Sequence, residues 1–410
     1  MKICTINAVY GIRSTGQIVA DVHNSLTTLG HESTVFAAEI PDQFTQTKGV
    51  LKIGNIVNHK LHGLLSRITG LQGYFSHMAT KRLTRQLDRI KPDIVHLHNL
   101  HSNYIHVDSL LRFLAIRKIP VVITLHDFWF MTGKCTHFIN VNCYKWRDSC
   151  GNCPKLKADN KSWIFDRTTK MLKDKERLFK AIPNLTVISV SDWVKSFAIE
   201  SILGCTSKHE RIYNWVDNRF ISKPAFNNNE IGEYLGITNN LPSLLLVATS
   251  WETSKGLNDL LWLIEHFDYE KFNLIIVGGV RNDSLKKGRH YWIDEIHDID
   301  LLSSIFHFSE YFLNLSKTET FGRVTVEAGL SGCKIIGFPT TGNKEIIEKF
   351  NGFPISSVKQ VSGILKSTKE SNIIQEHNLL NNPEIKDFYM EYGLEKNISL
   401  YSDIVSNRDR

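Results

Sequence analysis

The sequence has no run of about 18 apolar residues, the length that a helix needs to cross a bilayer. It also has no low-complexity tract, and its 42% hydrophobic and 22% charged residues are ordinary for a folded protein. It therefore predicts neither a membrane-spanning protein nor a disordered scaffold. Because MKICTINAVYG lacks a small-residue cleavage site and a long apolar core, we expect a first strand there and no signal peptide.

Cysteine number and net charge bound the compartment and the partners. Seven cysteines, an odd number in a chain without an export signal, predict reduced thiols and a cytoplasmic location. A formal net charge of +7 is compatible with a nucleic acid, an anionic membrane face or a phosphorylated ligand. We interpret the excess as spread over the chain, with modest clusters such as Lys286, Lys287 and Arg289, and expect it to be mostly a solvated surface.

The length and the element pattern predict an α/β protein. At 410 residues the chain exceeds the size of a single core, so two or three domains are expected. A strand at 1–8, a loop at 9–16 and a helix at 17–29 open a doubly wound domain. Gly16 ends that loop, where phosphate or an acceptor would meet the chain; a plain turn is the alternative. Residues 43–71 give no clear pattern, and 78–89 predict a basic amphipathic helix.

Histidines cluster around the next two predicted strands. His96, His98, His101 and His106 match no standard zinc spacing, so we interpret them as core or cleft histidines. The strand at 120–125 ends in His126-Asp127.

A polar pair at the carboxyl end of such a strand points into the ligand crevice. We therefore predict a functional His126, against the alternative of a structural strand-end histidine.

Four of the seven cysteines fall within 19 residues, as C-x7-C-x6-C-x2-C. Thiolates at this density in a reducing compartment predict a tetrahedral structural zinc site. The alternatives are unpaired buried cysteines or a redox pair. The predicted ligands are Cys135, Cys143, Cys150 and Cys153.

The stretch 314–347, NLSKTETFGRVTVEAGLSGCKIIGFPTTGNKEII, predicts the centre of the chemistry. It predicts a strand, a loop, a helix and a second strand, at 312–315, 316–322, 324–330 and 334–338. In such a βαβ unit the free amides at the helix start form an anion site. Gly322 allows close approach of a ligand, and Glu319 and Glu327 flank a phosphate-sized pocket.

Glu319-x7-Glu327 within ETFGRVTVEAGLSG, followed by GFPTTGNKEII, resembles the E-x7-E signature of retaining family 4 glycosyltransferases of the GT-B fold. RIYNWVDNRFISKP is similar to the linker between the two domains of that family, with Trp215 in place of the usual glycine. The arrangement HDFWFMTGKC...CGNCP resembles a subgroup of bacterial exopolysaccharide and O-antigen enzymes. The resemblance covers nearly the whole chain and is strongest at 244–347 and 120–156.

The resemblance implies two Rossmann-like doubly wound domains that face a cleft and close around the substrates. It places an acceptor-side domain at 1–215, with a Cys-rich loop at 135–153, and a nucleotide-sugar domain at 216–385. Residues 386–410 would form a helix that crosses back to the first domain.

The resemblance also implies residue roles. Lys255 would hold the diphosphate, but Thr249-Ser250 replaces the Gly-Arg of the family motif, so Arg281 or Arg323 would supply the second cation. His126, Asp127, Lys255 and Glu319 would be catalytic. Donor contacts would involve Gly16, Lys255, Glu319, Thr320, Phe321, Gly322, Arg323, Val324 and Glu327.

The expected function is transfer of a sugar, with retention, from a UDP- or GDP-sugar to a lipid-linked saccharide in bacterial surface polysaccharide or lipopolysaccharide synthesis. No catalytic metal and no nucleic acid are expected, and peripheral contact with the inner face of the membrane is expected. Two alternatives stay open. A nucleotide-sugar epimerase or hydrolase of the same fold would consume donor without acceptor, and a zinc-knuckle protein would bind nucleic acid with steep salt dependence.

Overall fold

The computed structural model describes residues 1–204, 207–370 and 382–407. It consists of two compact units, Met1–Ile212 with Leu394–Arg410, and Tyr213–Gly393. The chain thus changes unit after Ile212 and after Gly393, compared with the predicted boundaries of 215 and 385. Among the described residues, no helix combines the length and the apolar character that a bilayer span requires.

The first unit is built on a seven-stranded parallel sheet with the order β3-β2-β1-β4-β5-β6-β7. Strands β4 and β5 are buried along their whole length, as is usual for a parallel sheet covered on both faces. The strand order reverses between β1 and β4, where ligands bind in doubly wound sheets. Its elements are β1 (Lys2–Val9), α1 (Arg13–Thr28), β2 (Glu32–Glu39), β3 (Val50–Lys52), α2 (Ile56–Thr69), α3 (His77–Ile90), β4 (Ile94–Leu97), α4 (Val107–Ile116), β5 (Val121–Leu125), α5 (Thr168–Lys180), β6 (Leu185–Ser189), α6 (Asp192–Glu200) and β7 (Ser207–Arg211).

The start of α1 corrects the predicted loop at 9–16. The chain turns at Gly11, whose φ of 70° lies in the left-handed region, and the helix begins at Arg13. Gly16 therefore lies in the first turns of α1 and not on a loop. A Cβ atom on Gly16 would stand 3.0 Å from Cγ2 of Val9, so this glycine lets the helix approach β1 closely.

The second unit contains a six-stranded parallel sheet with the order β10-β9-β8-β11-β12-β13. The predicted βαβ unit is confirmed to within one residue at each boundary, as β11, α10 and β12. The strand order reverses between β8 and β11. The elements are α7 (Asn228–Leu235), β8 (Ser243–Ser250), α8 (Leu257–His266), β9 (Asn273–Gly279), β10 (Tyr291–Ile293), α9 (Ile299–Phe308), β11 (Tyr311–Asn314), α10 (Arg323–Leu330), β12 (Lys334–Gly337), α11 (Gly342–Lys349), β13 (Phe353–Pro354), α12 (Val361–Glu370), α13 (Pro383–Lys386) and α14 (Met390–Ser406).

Trp215, which stands where the resembling family has glycine, is buried in the second unit. Its backbone is not among those with positive φ, so the position does not require glycine here. The indole lies against Gly393, where a Cβ atom would come within 2.3 Å of the ring. The missing side chain at Gly393 therefore makes room for the large one at Trp215.

Candidate active site

The reversal of strand order in the second unit brings two connections together. Residues 253–255 form a short turn after β8, and the loop before α10 follows β11. Gly256 has a φ of 83°, and a Cβ atom there would lie 2.5 Å from the carbonyl oxygen of Leu315. Only glycine lets the two connections approach this closely.

This approach pairs Lys255 with Glu319, which are 64 positions apart in the chain. Nζ of Lys255 lies 2.7 Å from Oε1 of Glu319, and both side chains are partly exposed. The loop around Glu319 is held by its neighbours, because its amide donates to Oγ1 of Thr341 at 2.9 Å and its carbonyl accepts from Gly342 at 2.9 Å. The first carboxylate of the E-x7-E pair is thus fixed beside an ammonium group.

The second carboxylate has its own cation. Nε of Arg323 lies 3.0 Å from Oε1 of Glu327, one turn along α10. Burial raises the pKa of Glu327, an effect that Arg323 opposes and the charge of Asp217 strengthens. Asp217 therefore belongs to the surroundings of this pair; it lies in the linker motif, and sequence reasoning assigned it no role.

No side chain caps the amino end of α10. Its N-cap is Gly322, with a φ of 94° and no capping side chain. A Cβ atom on Gly322 would lie 2.9 Å from Oδ1 of Asn343, which in turn accepts a 2.8 Å hydrogen bond from Thr325. The first amides of a helix have no intrahelical acceptors, so this end offers donors and a partial positive charge to an anion.

The other predicted donor contacts differ in what they present. The Phe321 side chain is buried and packs against Tyr213 and Phe388, at ring distances of 5.8 and 5.9 Å. Only its backbone remains for a ligand. Thr320 and Val324 are half-buried.

In the first unit, His126 and Asp127 follow β5 and are both nearly buried. Nε2 of His126 lies 2.8 Å from Nδ1 of His98. Oδ2 of Asp127 lies 2.9 Å from Nε2 of His101, and Oδ1 accepts the amide of Trp129 at 2.8 Å. His101, interpreted from sequence only as a core or cleft histidine, is thus the direct partner of a predicted site carboxylate.

The protonation states in this cluster follow from burial. Burial lowers the pKa of His126 to about 4, although Asp127 opposes the shift, so the imidazole is neutral at pH 7. Burial favours the neutral acid of Asp127, but His101 and the Trp129 amide outweigh it and lower the pKa of this carboxyl. A neutral imidazole and a carboxylate suit hydrogen bonding to sugar hydroxyls. His96 instead bonds Tyr401 at 2.7 Å and Thr124 at 2.7 Å, which confirms it as a core residue.

All four clustered cysteines line one cavity of the first unit. Gly133 donates its amide to Sγ of Cys150 at 3.4 Å, and the neighbouring Cys153 raises the pKa of the Cys135 thiol. Across the described residues, however, no group of three or more His, Cys, Asp and Glu side chains is arranged to hold a metal ion. The four thiols thus share one cavity, and a metal site is not shown.

Residues 15–220 match the protein family described as Glycosyltransferase Family 4. The chain belongs to glycosyltransferase family 4. A protein of Escherichia coli strain K12 named as a colanic acid biosynthesis glycosyl transferase, WcaC, is 25% identical over 283 residues, which are 65% of this chain. The aligned region spans 64% of that relative.

Solved structures show the fold of this family 4 chain. Anabaena Alr3699/HepE in complex with UDP has a TM-score of 0.66 at 16% identity and covers 98% of this chain and 100% of its own. WaaG, a glycosyltransferase involved in lipopolysaccharide biosynthesis, has a TM-score of 0.61 at 13% identity, covering 96% and 94%. With two parallel-sheet α/β units, these likenesses identify the GT-B fold.

Proposed function

We propose that this family 4 chain transfers a sugar, with retention, from a UDP- or GDP-sugar to a lipid-linked saccharide in bacterial surface polysaccharide synthesis, at the inner face of the membrane. The observation that carries the proposal is the pair of cation–carboxylate contacts where the strand order reverses in the second unit. Relatives named for colanic acid and lipopolysaccharide biosynthesis support the pathway class, and a neighbour in complex with UDP supports the donor.

Donor binding exchanges these contacts. The diphosphate of the donor binds Lys255, Arg323 and the amides at the start of α10, because all of them carry full or partial positive charge. Sugar and ribose hydroxyls then replace the cations as partners of Glu319 and Glu327. We assign the second cation to Arg323, since it is already held at this helix end, whereas Arg281 lies exposed beyond β9. The leaving diphosphate is stabilised by these fixed charges, and the proposed mechanism uses no catalytic metal.

In the first unit, His126 and Asp127 are proposed to hold sugar hydroxyls. His101 acts as a positioning residue, because its contact fixes the orientation and the ionised state of Asp127. We also propose that the backbone of Gly16 contacts the substrate, at the point where α1 closely approaches β1.

Thermal unfolding with UDP, GDP and their sugars tests the proposed donor. A nucleotide at 100 times its Kd adds about 2.7 kcal/mol, which raises the Tm of a unit of this size by roughly 5–10 °C. We expect one base to give this shift without added Mg²⁺ and in the presence of EDTA. No shift with any nucleotide would refute the donor site. Donor turnover without an acceptor would favour the epimerase or hydrolase.

We also propose that the four-cysteine cluster binds a structural zinc ion. Thiolate is the ligand that zinc prefers in a reducing compartment, and all four thiols line one cavity. The turn residues Cys150, Gly151 and Asn152 all have positive φ, which gives the C-x2-C pair a tight turn. A tetrathiolate site carries two negative charges, which would favour the ammonium form of Lys175; burial lowers the pKa of this amine to about 7, and Cys150 and Cys135 oppose the shift.

Elemental analysis of protein purified under reducing conditions should find about one zinc per chain. Cys150→Ser with Cys153→Ser should lose it, because half of the ligand set is removed. Cys4→Ala, which changes a cysteine buried in β1, should keep it. A folded wild-type protein without metal would assign the cluster to free thiols.

A further inference from the structure

Helix α2 presents its apolar side to solvent. Val57, Leu61, Leu64 and Ile68 recur at the spacing of one helix face and are 37–70% exposed. The buried face of the same helix carries His62 and Ser66 instead. This arrangement is the reverse of an ordinary surface helix, whose apolar stripe faces the core.

A second apolar segment adjoins the end of α2. Trp163, Ile164 and Phe165 are 47–61% exposed. The amide of Trp163 donates to the carbonyl of Arg67 at 2.7 Å, and Gly70 leaves space for the backbone of Phe165. We call these three residues and the four of the stripe the α2 surface. Exposed apolar patches of this kind mark interaction sites.

Exposed cations lie on α2 itself and on α3, the start of which contacts α2. Lys60 and Arg67 lie on the exposed side of α2, and the hydrogen bonds of Ser76 with His62 and Asn58, both 2.8 Å, tie α3 to α2. The exposed cations of α3 are Lys81, Arg82, Arg85 and Arg89.

The distribution of charged residues along the sequence also concentrates positive charge in the segment that contains α2 and α3. Residues 43–92 contain nine Lys and Arg and one acidic residue, whereas the other 360 residues contain 40 Lys and Arg and 41 Asp and Glu. The net positive charge therefore comes from this one segment, which corrects the interpretation that it is spread over the chain.

We propose that the α2 surface docks the protein on an anionic lipid bilayer. An apolar helix face bordered by Lys and Arg is the chemistry of a helix that lies in the headgroup region, with its apolar side chains among the acyl chains. A second copy of this chain is disfavoured as the occupant, because two surfaces of like charge would face each other. The inference rests on the membrane contact of the proposed function, but it requires neither donor nor acceptor.

Co-sedimentation with vesicles tests the surface. The wild-type protein should bind vesicles containing phosphatidylglycerol at least tenfold more tightly than vesicles of phosphatidylcholine alone, and less tightly as salt rises. Leu61→Asp with Leu64→Asp should weaken binding at least tenfold, since two side chains can no longer enter the bilayer. Lys60→Ala with Arg67→Ala should weaken it about 30-fold, at about 1 kcal/mol for each cation.

Ile116→Asp and Ile199→Asp are the matched controls, because they change exposed apolar residues at the end of α4 and in α6. They should bind vesicles as the wild type does. The thermal shift with nucleotide, measured on every variant, reports folding and donor binding separately. Equal binding to both vesicle types, or stripe variants that bind normally, would overturn the proposal. A wild-type dimer that the stripe variant converts to a monomer would assign the surface to a second copy.

Discussion

Lys255→Ala should lower kcat by about 100-fold or more, in the range known for the loss of one electrostatic donor to a developing negative charge. The charge on the leaving diphosphate grows as the glycosidic bond breaks, so the ammonium stabilises the transition state more than the bound donor. Because Lys255 is partly exposed and its partner Glu319 can be solvated, the substitution should cost little stability. Release of nucleoside diphosphate, followed under donor saturation, measures the effect.

Three further variants show whether the effect belongs to the site. Lys366→Ala removes a cation that pairs at 3.9 Å with Asp268 in the same unit, and it should leave kcat unchanged. Arg323→Ala should lower kcat in the same direction as Lys255→Ala, and Arg281→Ala should not. A Lys255→Ala enzyme that works near the wild-type rate would show that the diphosphate is held elsewhere.

Features that depend on neighbouring residues could be predicted from the sequence, whereas contacts between distant segments could not. The β11–α10–β12 unit follows from apolar periodicity and a glycine, and it is found where predicted. The contact of Lys255 with Glu319 depends on β8 lying beside β11, a sheet order that periodicity cannot give. Only the family resemblance placed both residues at one site.

Helix α2 shows a different limit. The helix within 43–71 was missed although its apolar residues recur at the spacing of one helix face, and periodicity alone cannot show that this face is exposed to solvent. The sequence analysis names His101 but cannot give its contact with Asp127, because this contact joins the segment after β4 to the end of β5. The predicted loop at 9–16 was too long, because the chain turns at Gly11 and α1 already begins at Arg13.

Replacement of the two carboxylates of the E-x7-E pair should change the kinetic constants of the enzyme in different ways. Glu319→Gln keeps the size of the side chain but removes a charge proposed to lie beside the carbon that becomes cationic in the transition state, so kcat should fall more than KM rises. Glu327→Ala removes a proposed partner of the ribose, far from the breaking bond. It should therefore mainly raise the donor KM, as expected when ground state and transition state lose the same binding energy.

Glu327→Ala also acts on folding, and this second effect can be separated. Arg323 is mostly buried, so removing its partner should cost about 1–3 kcal/mol of unfolding free energy, whereas Glu319→Gln at a partly exposed site should cost less. Arg323→Ala combined with Glu327→Ala should recover stability, because no unpaired cation remains, but it should not restore the donor KM. If Glu319→Gln and Glu327→Ala gave the same kinetic pattern, or if the double variant restored KM, the assignment of Glu327 to the ribose would be wrong.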